Sequence, residues 1–120
     1  MSDTSDQNKA NVTRFFNEVF NKGNMDIVDA LLHPDYQFNG VPTPAANTKA
    51  WAMGLRAKFP DLHFSIETIL AEDDKVALRW RMTCTDAGKP VYNLGTNILV
   101  MVNGQALRND QGGGDTFKPA

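Results

Sequence analysis

The sequence predicts an α+β fold in which helices come first and cover one face of an antiparallel sheet. Two observations support this class. Apolar residues recur with helical spacing in the first half of the chain, and from residue 64 onward they alternate with polar residues, as in strands. With 120 residues and 42% hydrophobic content, the chain can build one small domain with a single core.

The first predicted helix carries one apolar stripe. Its members recur at positions i, i+3, i+4, i+7 and i+8, namely Val12, Phe15, Phe16, Val19 and Phe20. Gly23 follows at a point where helices commonly end. Residues 1–8 precede the stripe and are polar, so we expect them to form a flexible tail.

Two further helices are predicted before the sheet begins. The second starts at Asn24, whose side chain can cap it, and ends before Pro34 because a helix does not easily continue into proline. The segment GVPTPAANT is rich in turn formers and predicts a loop. A third helix is then capped by Asn47 or Thr48 and ends at Pro60. Its apolar face consists of Trp51, Leu55 and Phe59.

The second half of the chain predicts four strands joined by short turns. In the first strand, Phe64, Ile66 and Leu70 alternate with polar residues. The charged turn EDDK separates it from the run VALRWRMTCT, which predicts the second strand. A third strand over residues 97–102 leads into an Asn-Gly dipeptide, which favours a two-residue hairpin turn, and a fourth strand follows.

The second strand carries two arginines on one face. Strand alternation places them opposite a set of apolar side chains, namely Leu78, Trp80, Met82 and Cys84. Arg79 and Arg81 could bind an anionic ligand or form the solvated side of an ordinary sheet. If the first two strands share one apolar face, Glu67 lies near these arginines, and the second interpretation is favoured.

The second hairpin predicts a polar group inside the fold and an apolar patch outside it. A two-residue turn at Asn-Gly sets Ile98 opposite Asn109, so that Asn109 and Gln111 share the inner face. Leu99 and Met101 then point outward. Because a monomer does not need such a patch, we expect a homodimer in which two sheets cover it.

Composition excludes several classes of protein. The formal charge is −2 with basic and acidic residues interspersed, so no basic stripe for nucleic acid is present. The single cysteine, Cys84, cannot form an internal disulfide, and no Cys/His spacing indicates a metal site. The N-terminus MSDTSDQNK has no apolar segment, so we expect no secretion signal, no membrane anchor and a cytoplasmic location. The glycine triplet at 112–114 predicts that residues 112–120 form a flexible end.

Several stretches resemble a known family. The segments NKGNMDIVDALLHPDY and FPDLHFSIETILAEDDKVALRWRMTCT, the NGQ turn and a terminal DT are similar to the SnoaL-like polyketide cyclase group of the nuclear transport factor 2-like superfamily. The resemblance implies one domain over residues 9–111. It also implies a cone-shaped, cystatin-like fold in which three N-terminal helices are wrapped by a curved mixed or antiparallel sheet, with an internal pocket and commonly a homodimer. Ketosteroid isomerases and limonene-epoxide hydrolases are more weakly similar.

The catalytic residues of these relatives are mostly replaced in this sequence. The isomerases have a tyrosine where this chain has Phe16 or its neighbour Phe15, and a carboxylate base where it has Asn39-Gly40. They have a neutral acid where it has Ile98. In the cyclase group a G-T-H motif ends the second strand, and Asp86 stands at its histidine. Asp115 matches a terminal acid of that group. These two aspartates are therefore the candidate acid–base residues.

The remaining candidate residues could bind a small apolar molecule. They are polar but mostly not titratable groups set among apolar ones, namely Phe16, Tyr36, Asn39, Trp80, Met82, Asn109 and Gln111. Three functions stay open: an enzyme of the cyclase or isomerase kind acting on an apolar carbonyl compound, a non-catalytic binding module, and a dimeric scaffold with a filled core. No cofactor is expected for any of them.

Overall fold

The computed structural model describes residues 3–120 and shows the predicted α+β fold. The helical elements are α1 (Asp3–Phe15), a π-helical segment (Phe16–Asn21), α2 (Asp26–Leu31) and α3 (Ala45–Lys58). The strands are β1 (Leu32–Phe38), β2 (Val41–Pro42), β3 (His63–Glu72), β4 (Lys75–Asp86), β5 (Lys89–Val102), β6 (Gln105–Gly113) and β7 (Lys118–Pro119).

The strands form one curved, open sheet. Its order is β2-β1-β6-β5-β4-β3, and β7 pairs with β5 beside this path. The β1–β6 pair is parallel and the other pairs are antiparallel, so the sheet is mixed. We call the face that packs against the helices the inner face and the opposite one the outer face.

The predicted helices are present, with different boundaries. The stripe of α1 and the π-helical segment is buried at Val12, Phe16, Val19 and Phe20. The backbone at Gly23 has a positive φ of 73°, which suits glycine at the end of a helix. The prediction that Asn47 or Thr48 caps α3 is wrong, because this helix begins at Ala45 directly after Pro44.

Three strands, β1, β2 and β7, were not predicted, and neither was the regular structure near both ends of the described residues. β1 begins at the last residues assigned to the second helix, and its pairing with β6 is irregular around Pro34, which has no N–H to donate. Residues 3–8, predicted as part of a flexible tail, belong to α1, and Ser5 and Asn8 are buried there. In the segment predicted as a flexible end, residues 112–113 extend β6 and residues 118–119 form β7.

The first hairpin confirms the predicted direction of the arginines. Leu78, Trp80 and Met82 are buried on the inner face. On the outer face the Arg79 Nε atom lies 3.4 Å from a carboxylate oxygen of Glu67, and the Arg81 guanidinium lies 4.0 Å above the ring centre of Tyr92. These arginines therefore form the solvated side of the sheet.

A β-bulge in β3 changes the predicted position of Leu70. Ile66 pairs with Trp80, whereas Thr68 pairs with the next residue of β4, so Glu67 is an extra residue in the strand. The bulge reverses the alternation beyond it. Leu70, predicted on the inner face, is therefore 64% exposed.

A second bulge overturns the register predicted for the β5–β6 hairpin. Met101 pairs with Ala106 and Val100 pairs with Arg108, which leaves Leu107 as the extra residue. The faces of β5 follow from its regular pairing with β4, in which buried Val76 is opposite Leu99 and Ala77 is opposite Ile98. Leu99 and Met101 are therefore buried on the inner face, while Ile98 is 54% exposed.

The outer patch predicted for dimerisation therefore does not exist at Leu99 and Met101. The exposed apolar side chains of the described sheet include Leu70 and Ile98 instead. The homodimer itself stays a prediction, and light scattering of the purified protein checks it.

Replacing Gly95 by alanine should destabilise the protein. An added Cβ would lie 2.2 Å from Cζ2 of Trp80, so the buried indole must shift, and overpacking of this kind costs about 1–3 kcal/mol in the free energy of unfolding. Chemical denaturation measures this cost. Gly54→Ala is the matched control, because its Cβ meets nothing within 4 Å and alanine favours the helix by about 0.5–1 kcal/mol. Equal stability of the two variants would contradict this packing.

Candidate ligand-binding cavity

A cavity of about 490 Å³ lies against the inner face of the sheet. Aromatic side chains supply most of its wall, namely Phe15, Phe16, Phe20, Tyr36, Phe38, Trp51, Phe64, Trp80 and Phe117. Its polar wall consists of Thr43, Asn47, Thr48, Asn93, Asn97, Asn109 and Gln111. This volume is typical of sites for small organic ligands.

The π-helical segment and β3 bring the aromatic rings together. The Lys22 N–H donates to the carbonyl of Asn17 at 3.1 Å, which is the i to i−5 bond of a π-helix. The Phe20 ring lies 4.9 Å from that of Phe64, which in turn lies 4.9 Å from that of Trp80. Tilted contacts at this distance are favourable between aromatic rings. One wall of the cavity is therefore a continuous aromatic surface.

Four buried side chains form a hydrogen-bonded chain along the polar wall. The indole Nε1–H of Trp80 donates to Oδ1 of Asn97 at 2.6 Å. The Asn97 amide donates to Oδ1 of Asn109 at 2.7 Å, and the Asn109 amide donates to the hydroxyl oxygen of Tyr36 at 3.0 Å. We call these four residues the polar chain. Because all four are buried, each bond avoids a desolvation cost that an unpaired group would carry.

The position of Trp80 depends on two glycines and on the C-terminal segment. A Cβ at Gly95 or at Gly114 would lie 2.2 Å or 2.6 Å from the indole ring, so both positions require the absence of a side chain. Gly114 is held by a hydrogen bond of 3.0 Å from the Asn93 amide to its carbonyl. Phe117 then packs against Phe59 at a ring distance of 5.3 Å. Residues 114–117 therefore close one side of the cavity.

The predicted binding residues lie together, with one exception. The cavity wall includes Phe16, Tyr36, Trp80, Met82, Asn109 and Gln111. Asn39 is not part of the wall. Its Oδ1 accepts a hydrogen bond of 2.7 Å from the backbone N–H of Gln111, so it supports the wall from outside.

The two candidate acid–base residues lie outside the cavity wall. Asp86 is exposed at the end of β4, where it pairs with Lys89 across the turn to β5. Asp115 is also exposed, although it directly follows the wall residue Gly114. Within residues 3–120, the wall contains no Asp, Glu, His, Lys, Arg or Cys.

Sequence reasoning missed Asn97, which joins Trp80 to Asn109. The predicted hairpin register turned Asn97 outward, whereas it is 2% exposed on the inner face. A signal did exist. Asn97 lies an even number of residues from Leu99 and Met101, so strand alternation puts all three side chains on one face. If the two apolar side chains are taken to face the core, Asn97 faces the core as well. Asn93 continues the same alternation and was missed because the predicted strand began only at residue 97, whereas β5 begins at Lys89.

Burial alters the acidity of the tyrosine in the polar chain. Loss of solvent around Tyr36 raises the pKa of its hydroxyl to about 12, although the hydrogen bond from Asn109 acts in the opposite direction. Tyr36 therefore keeps its proton at neutral pH.

Among the described residues, no group of three or more His, Cys, Asp and Glu side chains could hold a metal ion. No helix within residues 3–120 has both the length and the apolar content to cross a membrane.

The fold and the cavity define a cone-shaped α+β protein with an aromatic internal site. The chain belongs to the SnoaL-like polyketide cyclase family, whose model matches residues 10–108. The resemblance found in the sequence and the cone-shaped fold it implied are thus confirmed. No curated protein sequence matches the chain significantly.

Solved structures with the same fold carry different functional names. A candidate polyketide cyclase from Acidithiobacillus ferrooxidans is 26% identical with a TM-score of 0.80, covering 96% of this chain and 92% of its own. A candidate SnoaL-like polyketide cyclase from Jannaschia is 20% identical with a TM-score of 0.81, covering 95% and 90%. AclR from Streptomyces galilaeus, a candidate hydroxylase, is 22% identical with a TM-score of 0.74, covering 91% and 90%.

The stability of the protein should fall between about pH 10 and about pH 12 because of Tyr36. Below about pH 10 this tyrosine is neutral in the folded and in the unfolded protein. Between about pH 10 and about pH 12 the unfolded chain releases the proton that the folded chain retains. The raised pKa corresponds to a loss of about 2 kcal/mol in the free energy of unfolding at about pH 12. Urea denaturation at several pH values measures the fall. Tyr36→Phe should lose this component and Tyr92→Phe should keep it; the same fall in both variants would contradict the assignment.

Proposed function

We propose that this protein binds a flat, apolar small molecule in the cavity. The observation that carries the proposal is the aromatic wall around a space of about 490 Å³. Aromatic faces favour flat ring systems, because offset stacking and edge contacts add to the gain from apolar burial. Of the three functions open at the sequence level, an open cavity favours ligand binding over a filled scaffold.

The polar wall supports orientation of the ligand. A few hydrogen-bonding groups in a mostly apolar site fix how a ligand lies, while the apolar surface supplies affinity. Tyr36, Asn109 and Gln111 provide such groups on the sheet side. Asn47 and Thr48 provide others from α3. A ligand with an apolar body and a small number of oxygen atoms fits this distribution.

Catalysis of the cyclase kind is the second candidate function. It is supported by the family and by the names of the neighbouring cyclases. A cyclisation or isomerisation needs a group that accepts a proton, and the described wall has no carboxylate or imidazole for this purpose. Asp115 is the better placed of the two aspartates because it adjoins Gly114. Ligand binding without acid–base chemistry is therefore the first proposal.

Fluorescence of N-phenyl-1-naphthylamine tests binding in the cavity. This neutral aromatic probe emits strongly only in an apolar environment, so the native protein should enhance its emission with one probe bound per chain. Thr48→Trp adds bulk to the wall and should weaken binding at least about tenfold, since the probe then loses room in the site.

Ala50→Trp is the matched control, because residue 50 lies on the same helix, is exposed and does not line the cavity. It should bind the probe as the native chain does. Enhancement that is equal in all three proteins would place the probe on the surface and contradict the proposal. No enhancement in the native protein would contradict it as well.

A further inference from the structure

The direction of every hydrogen bond in the polar chain follows from Trp80. An indole N–H can donate but cannot accept. At 2.6 Å from the indole nitrogen, Asn97 must therefore present its carbonyl oxygen, and its NH₂ group must face the other way. The orientation of this buried amide is thus set by chemistry and needs no further choice.

The same argument passes to the next two residues. The NH₂ group of Asn97 lies 2.7 Å from Asn109, so Asn109 must present its oxygen to Asn97. Its own NH₂ group then faces Tyr36, whose hydroxyl oxygen accepts at 3.0 Å. The hydroxyl oxygen of Tyr36 thus accepts a hydrogen bond from the polar chain, and the hydroxyl hydrogen takes no part in that bond.

The hydroxyl hydrogen of Tyr36 is available to a ligand. No described residue accepts a hydrogen bond from this hydroxyl, while Tyr36 and Asn109 both line the cavity. A buried hydroxyl without an acceptor loses free energy, so an acceptor supplied by the ligand is favoured. The bonds behind it also polarise the hydroxyl and strengthen it as a donor.

We infer that Tyr36 is the residue that selects the ligand, and that Trp80, Asn97 and Asn109 position it to do so by fixing it as a hydrogen-bond donor. This inference rests on the proposed function. The selected ligand has an acceptor oxygen, such as a ketone carbonyl, at this point of the cavity. The raised pKa is consistent with the role, because a neutral hydroxyl retains the proton that it donates.

Two matched probes test the selection. 1-Tetralone and tetralin share a fused ring system, and only tetralone has a carbonyl. Isothermal titration calorimetry gives the affinity of each for the native protein and for Tyr36→Phe. Loss of the hydroxyl should lower the affinity for tetralone about threefold to tenfold, as expected for one neutral hydrogen bond. It should change the affinity for tetralin less than about twofold. Tyr92→Phe, which alters the other tyrosine on the outer face, should change neither.

Asn109→Asp tests the direction of the chain while the tyrosine stays in place. A carboxylate only accepts, so it can receive hydrogen bonds from both Asn97 and Tyr36 and thereby occupies the hydroxyl hydrogen. Because burial favours the protonated acid, which can donate, the titrations are run at about pH 9, where the carboxyl is ionised. The affinity for tetralone should fall relative to that for tetralin by about the same factor as in Tyr36→Phe. Asn17→Asp adds the same charge at an exposed position and is the control. A purely structural role for Asn109 would affect both probes alike.

The outcomes separate the inference from the proposed function. If tetralin and tetralone bind and only tetralone depends on Tyr36 and Asn109, both proposals are supported. If both probes bind and both respond equally to Tyr36→Phe, the cavity binds ligands but the inference is wrong. If neither probe binds the native protein, the proposed function fails and the inference fails with it.

Discussion

The hydrogen bond from the Trp80 indole to Asn97 is the interaction on which the site depends. It joins two neighbouring strands of the sheet, lies on the inner face and is only 2.6 Å long between buried atoms. It sets the orientation of both asparagines and, through them, the donor at Tyr36. If it were lost, the buried indole N–H and the buried carbonyl oxygen of Asn97 would each be left without a partner, and each unpaired group would cost free energy of folding.

Backbone features next to the polar chain make this bond possible. Regular pairing with β4 sets Asn97 opposite Leu78 and so turns it to the inner face, and the bulge at Leu107 turns Asn109 to the same face. The absence of a side chain at Gly95 and Gly114 leaves room for the indole. The mixed, bulged sheet then curves around the helices, so the aromatic surface and the polar chain face the same space. The geometry of the site is therefore inseparable from irregularities in the sheet.

How far the sequence predicts this protein follows from the same irregularities. Periodicity was enough for the helices, the arginines of β4 and the burial of Trp80, because these depend on local alternation. It placed Leu70 on the wrong face, since one extra residue in β3 reverses every side chain beyond it. It placed Ile98 on the wrong face because the face of β5 is set by its pairing with β4, which alternation within β5 does not reveal. Asn109 was assigned to the correct face only because two errors cancelled. Ile98 was placed on the inner face by mistake, and Asn109 was paired with Ile98 although its partner is Leu99. Asp86 was chosen by position in a motif, and the fold takes that position to an exposed turn.

Neutron diffraction from a deuterated crystal measures the central claim most directly, because it locates the hydrogen atoms of the polar chain. We expect deuterium on the Trp80 nitrogen directed at Asn97, the NH₂ group of Asn109 directed at Tyr36, and the hydroxyl deuterium of Tyr36 directed into the cavity. A map in which the oxygen of Asn109 faces Tyr36 and receives the hydroxyl deuterium would contradict the account, since the tyrosine would then have no donor left for a ligand.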